Sequence, residues 1–238
     1  MRLPLESIDA NTEPYIRLRP RILDNTIGDL FAPQQISLFH GPERAPLSIL
    51  AHAIVVSAAK SESTSCIYLD SGTNFSSSLV KSMSASQDEA KEILEKIAVG
   101  QVLGLTDVIE KVEMLRDFGG VSLVVLDNLT AALNLSGDPG SRKRQRILFG
   151  ALDSIRRVIN DIDTHVMITD HSSRNWVSGQ PTPIGGNVLS HGVDSVIRVD
   201  RIRKGEDVVR ILVERCTLPS PPPGVILRVG PKGIRTIR

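Results

Sequence analysis

At 238 residues the chain is long enough to bury a large core in one α/β domain without metals or disulfides. No apolar run approaches the ~20 residues that span a bilayer, so a membrane-spanning protein is excluded. With 28 basic and 27 acidic residues the net charge is +1, which gives no global field, so a nucleic-acid partner has to rest on local clusters.

Residues 1–21 mix charges and prolines and read as a loose arm, neither signal peptide nor anchor, with a short strand at Tyr15–Leu18 closed by Pro20. Cys66 and Cys216 lie far apart in strand-like contexts, the pattern of free thiols in a reducing, cytoplasmic location. From residue 22 to 238 the chain reads as one body. Ile22–Gly28 leads to an apolar strand at Ile36–Phe39, and Leu47–Ala59, apolar almost all round, is a helix buried against a sheet.

Cys66–Asp70 is a second strand, ended by the turn formers Ser71–Asn74. Amphipathic helices are expected at Gln87–Ala98 and Asp107–Phe118, the second capped by Thr106, with an edge strand at Val102–Leu105 between them. Val121–Asp127 is a continuous apolar strand tipped by a carboxylate, the pattern of a strand buried on both faces of a parallel sheet. A helix follows at Lys143–Asp161, then a strand at Thr164–Thr169 ending in Asp170. Beyond Val193 the helices stop. Strands at Val193–Ile202, Val208–Val213 and Val225–Val229 follow, the first two joined by a hairpin at Arg203–Asp207, and Pro219–Pro223 is a stiff connector. The fold class is α/β: a mostly parallel sheet flanked by helices, with a C-terminal antiparallel extension.

One stretch carries a chemical motif. Gln35–Ser48 is a strand running through a loop into a helix, the shape of a P-loop, in which exposed amides and a helix N-terminus hold a phosphate chain. On the spacing G-x-x-x-x-G-K-[ST], Gly41 supplies the first glycine and Ser48 the final hydroxyl, but Pro46 and Leu47 stand where glycine and lysine belong. Proline has no N–H for a phosphate and leucine neutralises no charge. Two matches of this kind also arise by chance.

Collinear motifs make the sequence resemble the RecA/RadA recombinase superfamily, specifically the short archaeal RadA paralogues such as RadB that lack an N-terminal helical domain. The resemblance runs from Ile22 to Ile234. Pro183-Ile184-Gly185-Gly186-Asn187-Val188-Leu189-Ser190-His191 is close to the family's P-x-G-G-x-x-x-x-H segment. Leu123–Ala131 matches its Walker B strand, Leu23-Asp24 and Gly28 the entry to its ATPase core, and Arg144-Gln145 the start of its next helix. Leu218-Pro219 sits at its D-S-P-x-L-P segment, with Glu214 at the aspartate.

The resemblance implies a RecA-like ATPase core, and three parts of its ATP site are altered. Leu47 replaces the lysine, Gly72 stands in Asp70-Ser71-Gly72 where the family has the glutamate that positions water, and Asp170-His171 replaces an asparagine–glutamine pair. Phosphoryl transfer rests on positioning and charge neutralisation, so no turnover of ATP and no cofactor are expected. Asp127 and Ser48 leave weak Mg-ATP binding open, or else serve structure alone.

The resemblance also implies DNA contacts from two loops. The first corresponds to Asn134–Gln145, with a mobile turn before Arg142, Lys143, Arg144 and Arg146, which could neutralise phosphates or could be a solvated basic helix start. The second, His171–Pro183, carries Arg174 and Trp176, suited to stacking on single-stranded bases or to a lid over an apolar cluster. His40 and His191 flank the former nucleotide site, and no metal is expected. The implied role is a non-hydrolysing accessory factor in homologous recombination or DNA repair, partnered by single-stranded DNA and by a RadA-type recombinase or another paralogue, and not by a membrane. The alternatives are a KaiC-like ATP-binding regulator with weak residual ATPase activity and a purely structural partner.

Overall fold

The computed structural model describes residues 16–60, 64–136, 142–174, 179, 181–203 and 205–237. The chain begins with α1 (Arg21–Ile27) and a 3-10 turn at Gly28–Leu30, followed by β1 (Ile36–Gly41), α2 (Arg44–Ala59) and β2 (Ser65–Asp70). Next come α3 (Ser77–Met83), α4 (Gln87–Glu95), β3 (Ile97–Gln101), α5 (Leu105–Glu113), β4 (Val121–Asp127) and α6 (Leu129–Leu135). The long α7 (Arg142–Ile162) leads to β5 (His165–Arg174), β6 (Pro181–Pro183), α8 (Gly186–Gly192), β7 (Ser195–Arg201), β8 (Val208–Arg215), β9 (Val225–Gly230) and β10 (Gly233–Thr236).

The strand order is β10-β9-β8-β7-β1-β5-β4-β2-β3, with β6 folded back on the end of β5. From β7 to β3 every neighbour is parallel, and from β7 to β10 every neighbour is antiparallel. β1 and β4 are buried along their whole length because helices cover both faces there. One face carries α1, α2, α3 and α4 over a core that includes Leu23, Leu50, Ile54, Tyr68, Val125 and Ile211. The other carries α5, α6, α7 and α8 over Leu38, Val124, Ile155, Val158 and Ile168. The described part of the chain holds no helix long and apolar enough to cross a membrane.

Several expectations are corrected. Tyr15–Leu18 is not a strand where described, and the chain is packed from Ile16, since Ile16 and Leu18 are buried in the first core and the Leu18 amide donates to Asp24 Oδ1 at 2.8 Å. The edge strand is Ile97–Gln101 rather than Val102–Leu105, because these residues pair in parallel with Cys66–Asp70, which also cuts α4 short. Thr106 caps nothing. α5 begins two residues earlier, at Leu105 after Gly104, and the Leu105 amide donates to Ser136 Oγ at 2.7 Å. Elements not foreseen include α1 and α8; α3, capped by Ser76; α6, capped by Asn128; and the short strands β6 and β10. Much of the stretch expected as a second loop is an antiparallel hairpin, with Ser172, Ser173 and Arg174 opposite Pro183, Thr182 and Pro181.

Candidate functional site

The phosphate loop expected between strand and helix is two residues long. β1 continues to Gly41 and α2 starts at Arg44, so Arg44, Ala45, Pro46 and Leu47 are already helical. Proline is tolerated there because first-turn amides have no intrahelical partner. Gly41 has its own reason to be glycine, since a Cβ would stand 2.4 Å from the Val199 carbonyl oxygen of the neighbouring strand. Leu47 is 2% exposed and belongs to the core. Glu43 reaches Arg201 Nε at 2.7 Å, and the Arg44 guanidinium donates to the Gly72 carbonyl and to Asn74 Oδ1, closing over the turn after β2.

Beneath this turn Asp127, at the end of β4, is buried and fully engaged. Ser48 Oγ donates to Oδ2 at 2.6 Å, the Tyr68 hydroxyl donates to the same oxygen, and Thr169 Oγ1 donates to Oδ1 at 2.7 Å. Burial, and then the Asp127 charge, push the Tyr68 hydroxyl far above its ordinary range, so it stays a donor. His52, one turn beyond Ser48, completes the wall: Nδ1–H donates to the Ser48 carbonyl at 2.7 Å and Nε2 accepts the Ser76 amide at 2.9 Å. Burial lowers the His52 pKa, and its ring packs on Tyr68 and Phe75 with centroids 5.2 and 5.4 Å away. Asp70 is likewise spent on backbone, accepting the amides of Gly72, Asn74 and Phe75.

These residues do not fit Mg-ATP as a P-loop holds it: the loop is cut to two residues, the lysine position is core, and a cation shared by Ser48 and Asp127 would have to displace the hydroxyls of Tyr68 and Thr169. Tyr68, Thr169 and His52 went unnoticed in the sequence. A tyrosine hydroxyl two residues before Asp70, in an otherwise apolar strand, was the available signal.

The two other polar clusters at this end also hold structure in place. His40 is fully buried, with Nε2–H donating to Glu214 Oε2 at 2.8 Å and Nδ1 2.8 Å from Ser172 Oγ, while Arg198 Nη1 meets the other Glu214 oxygen at 3.0 Å. Glu214, on β8, thus joins β1 and β7, and His40 extends the link to Ser172 on β5. Its carboxyl is held below the usual range by these two partners against the cost of burial. Asp170 accepts from Thr130 Oγ1 and, at 3.1 Å, from the Gly185 amide, so it ties the start of α8 to β5, and burial raises its pKa.

The predicted cations divide. Arg142, Lys143 and Arg146 are exposed on the first turns of α7. Arg144 is turned inward, 7% exposed, with Nη2 3.5 Å from Asn134 Oδ1, because at that helical position its neighbours are Leu133 and Leu148. Arg174 ends β5, but its side chain, Trp176 and residues 137–141 lie outside the described residues. His191 lines an apolar cavity of about 470 Å³ between α7 and α8, with Phe149 and Leu152, and not the former nucleotide site.

A family model described as Rad51 matches residues 16–235. Among solved structures, one described as the crystal structure of the RadB recombinase aligns with a TM-score of 0.73 at 16% identity, covering 91% of this chain and 96% of that one. Identity that low speaks for the fold alone. No curated protein matches in sequence.

Proposed function

The chain belongs to the Rad51 family and has its RecA-like fold, and from that premise we propose that it serves homologous recombination or DNA repair as an accessory factor that does not hydrolyse ATP. Its partners in this reading are single-stranded DNA and a catalytically intact recombinase or paralogue. One observation carries the reading: Asp127, at the position where the family holds its metal, is buried and accepts from the hydroxyls of Ser48, Tyr68 and Thr169. A buried carboxylate with three donors is a structural element, and exchanging them for a hydrated cation would cost those bonds.

The exposed cations at the start of α7 support the nucleic-acid half. Basic residues at a helix N-terminus work against the helix dipole and are relieved by an anion. Arg142, Lys143 and Arg146 make no ion pair with a described residue, whereas Arg156 and Arg157 further along the helix pair with Asp194 and Asp153. The competing reading, an ATP-binding regulator, keeps in its favour only the 2.6 Å contact of Ser48 with Asp127, the pair that would share a metal.

Phosphate release by the purified protein, measured with Mg-ATP and single-stranded DNA beside an active recombinase, tests the first half. Release at background level is expected, and steady turnover overturns it. Anisotropy of labelled single-stranded DNA at low and high salt tests the second: salt-sensitive binding is expected, and an unchanged signal at low salt removes DNA from the account.

A further inference from the structure

We propose that the bare outer face of β8, β9 and β10 is a second nucleic-acid contact, in which Arg210, Arg228 and Arg235 grip a phosphodiester backbone. The inference rests on the DNA-binding reading above and adds a site to it.

The face is bare because the helices stop short of it. Inward residues of these strands, Val209, Ile211, Val213, Leu227 and Val229, join the core under α1 and α2. The core on the opposite side reaches Val196 of β7 and includes no residue of β8, β9 or β10. Alternation along an antiparallel strand therefore points Arg210, Ile226 and Arg228 to solvent.

Register then places charge beside like charge. Arg228 stands directly opposite Arg235. Arg210 stands opposite Ile226, one diagonal step from Arg228. Like charges facing each other on a ladder destabilise it unless something neutralises them, and no described residue pairs with these arginines. Asp200, opposite Arg210, is taken by Arg198 Nε at 2.7 Å.

The neighbouring arginines sharpen the contrast. Arg198 meets Asp200 and Glu214, Arg201 meets Glu43, Arg203 meets Glu206, and Arg215 donates to the Ser190 and Val193 carbonyls. Arg210, Arg228 and Arg235 make no ion pair or side-chain hydrogen bond with any described residue.

The chemistry suits a polynucleotide. At the β10 edge Arg228 and Arg235 border a cavity of about 590 Å³ shared with Ile237 and with Pro20, Ile234 and Thr236 from the α1 side of the sheet, and no carboxylate is among its lining residues. The stripe crosses three strands, roughly 10 Å, the scale of a short stretch of phosphodiester backbone. Guanidinium forks bind phosphate oxygens in pairs, and the exposed Ile226 and Ile237 beside them offer apolar surface to sugars and bases.

The test compares the full-length protein with two variants, R228A/R235A and R142A/K143A/R146A, by anisotropy of a labelled single strand across a salt series. The first variant is expected to bind on the order of tenfold more weakly at low salt, its log–log salt slope shallower by about 1.4, with a melting temperature no lower than that of the wild type. R228K/R235K should keep most of that slope. Wild-type affinity and slope in R228A/R235A, with loss confined to the α7 variant, would overturn this inference and leave the DNA-binding reading intact. Absence of binding by the wild-type protein would overturn both.

Discussion

The mouth of β1, β2 and β4 and the start of α7 both follow the carboxyl ends of parallel strands, yet they treat charge in opposite ways. At the mouth every charged or polar group is spent: Asp127 on three hydroxyls, Asp70 on three amides, His52 on the Ser48 carbonyl and the Ser76 amide. At the start of α7, Arg142, Lys143 and Arg146 are exposed and carry no carboxylate partner among the described residues. A buried group must be satisfied from within, while an exposed cation can wait for a ligand. The difference separates a region that holds the fold from one available to an anion.

The largest test of the contrast is Leu47→Lys, which restores the motif's lysine. At a core position 2% exposed an unpaired ammonium should cost about 3–5 kcal/mol, read by urea denaturation, and give no phosphate release. A stable variant that hydrolyses ATP would mean the mouth is still a nucleotide site. Next in size, Asp127→Ala strips the acceptor from three hydroxyls and should lose about 3 kcal/mol, with Mg²⁺ making no difference to the wild-type melting temperature. Stabilisation of the wild type by Mg²⁺ would show the carboxylate available to metal.

Acidification probes the buried histidines. His165 donates Nδ1–H to the Ala32 carbonyl, its Nε2 has no partner among the described residues, and burial pushes its pKa from 6.5 down to about 4. The unfolded chain therefore binds the proton more readily below pH 6.5, and folded stability falls as the pH drops from about 6.5 towards 4. By pH 5 the loss should be about 2 kcal/mol, and His165→Asn should flatten it. His52 shifts in the same direction. Equal pH slopes in variant and wild type would show that the burial of His165 does not govern acid sensitivity.

The smallest expected effect compares cations on one helix. R142A/K143A/R146A should weaken single-stranded DNA binding by on the order of tenfold and reduce the salt slope by about 2 without changing stability. Arg144→Ala should do the reverse, lowering the melting temperature with little change in slope. A larger slope change for Arg144 than for its exposed neighbours would contradict the division.

Where burial on both faces wrote a continuous apolar run, the element was legible residue for residue, as in Val121–Asp127. Where a short element draws its stability from capping and neighbours, it was not. α3 rests on Ser76 and one buried valine, and α6 on Asn128 accepting the Ala131 amide, signals that blend into surrounding turns. The site was half legible. Ser48 and Asp127 could be named from motif spacing, but their contact, and the arrival of Tyr68 and Thr169 from β2 and β5, depend on strand order across the sheet. Arg144 misled for a related reason: composition counts charges along a helix, and only packing decides which one faces Leu133 and Leu148.

The central claim is that this member of the family holds DNA without using nucleotide. Anisotropy of a labelled single strand, titrated at low salt with and without Mg-ATP while phosphate release is followed in the same cuvette, tests it most directly. One superimposable, salt-sensitive isotherm with no phosphate released is the predicted result. An isotherm that appears or tightens only with Mg-ATP, accompanied by phosphate, would contradict it.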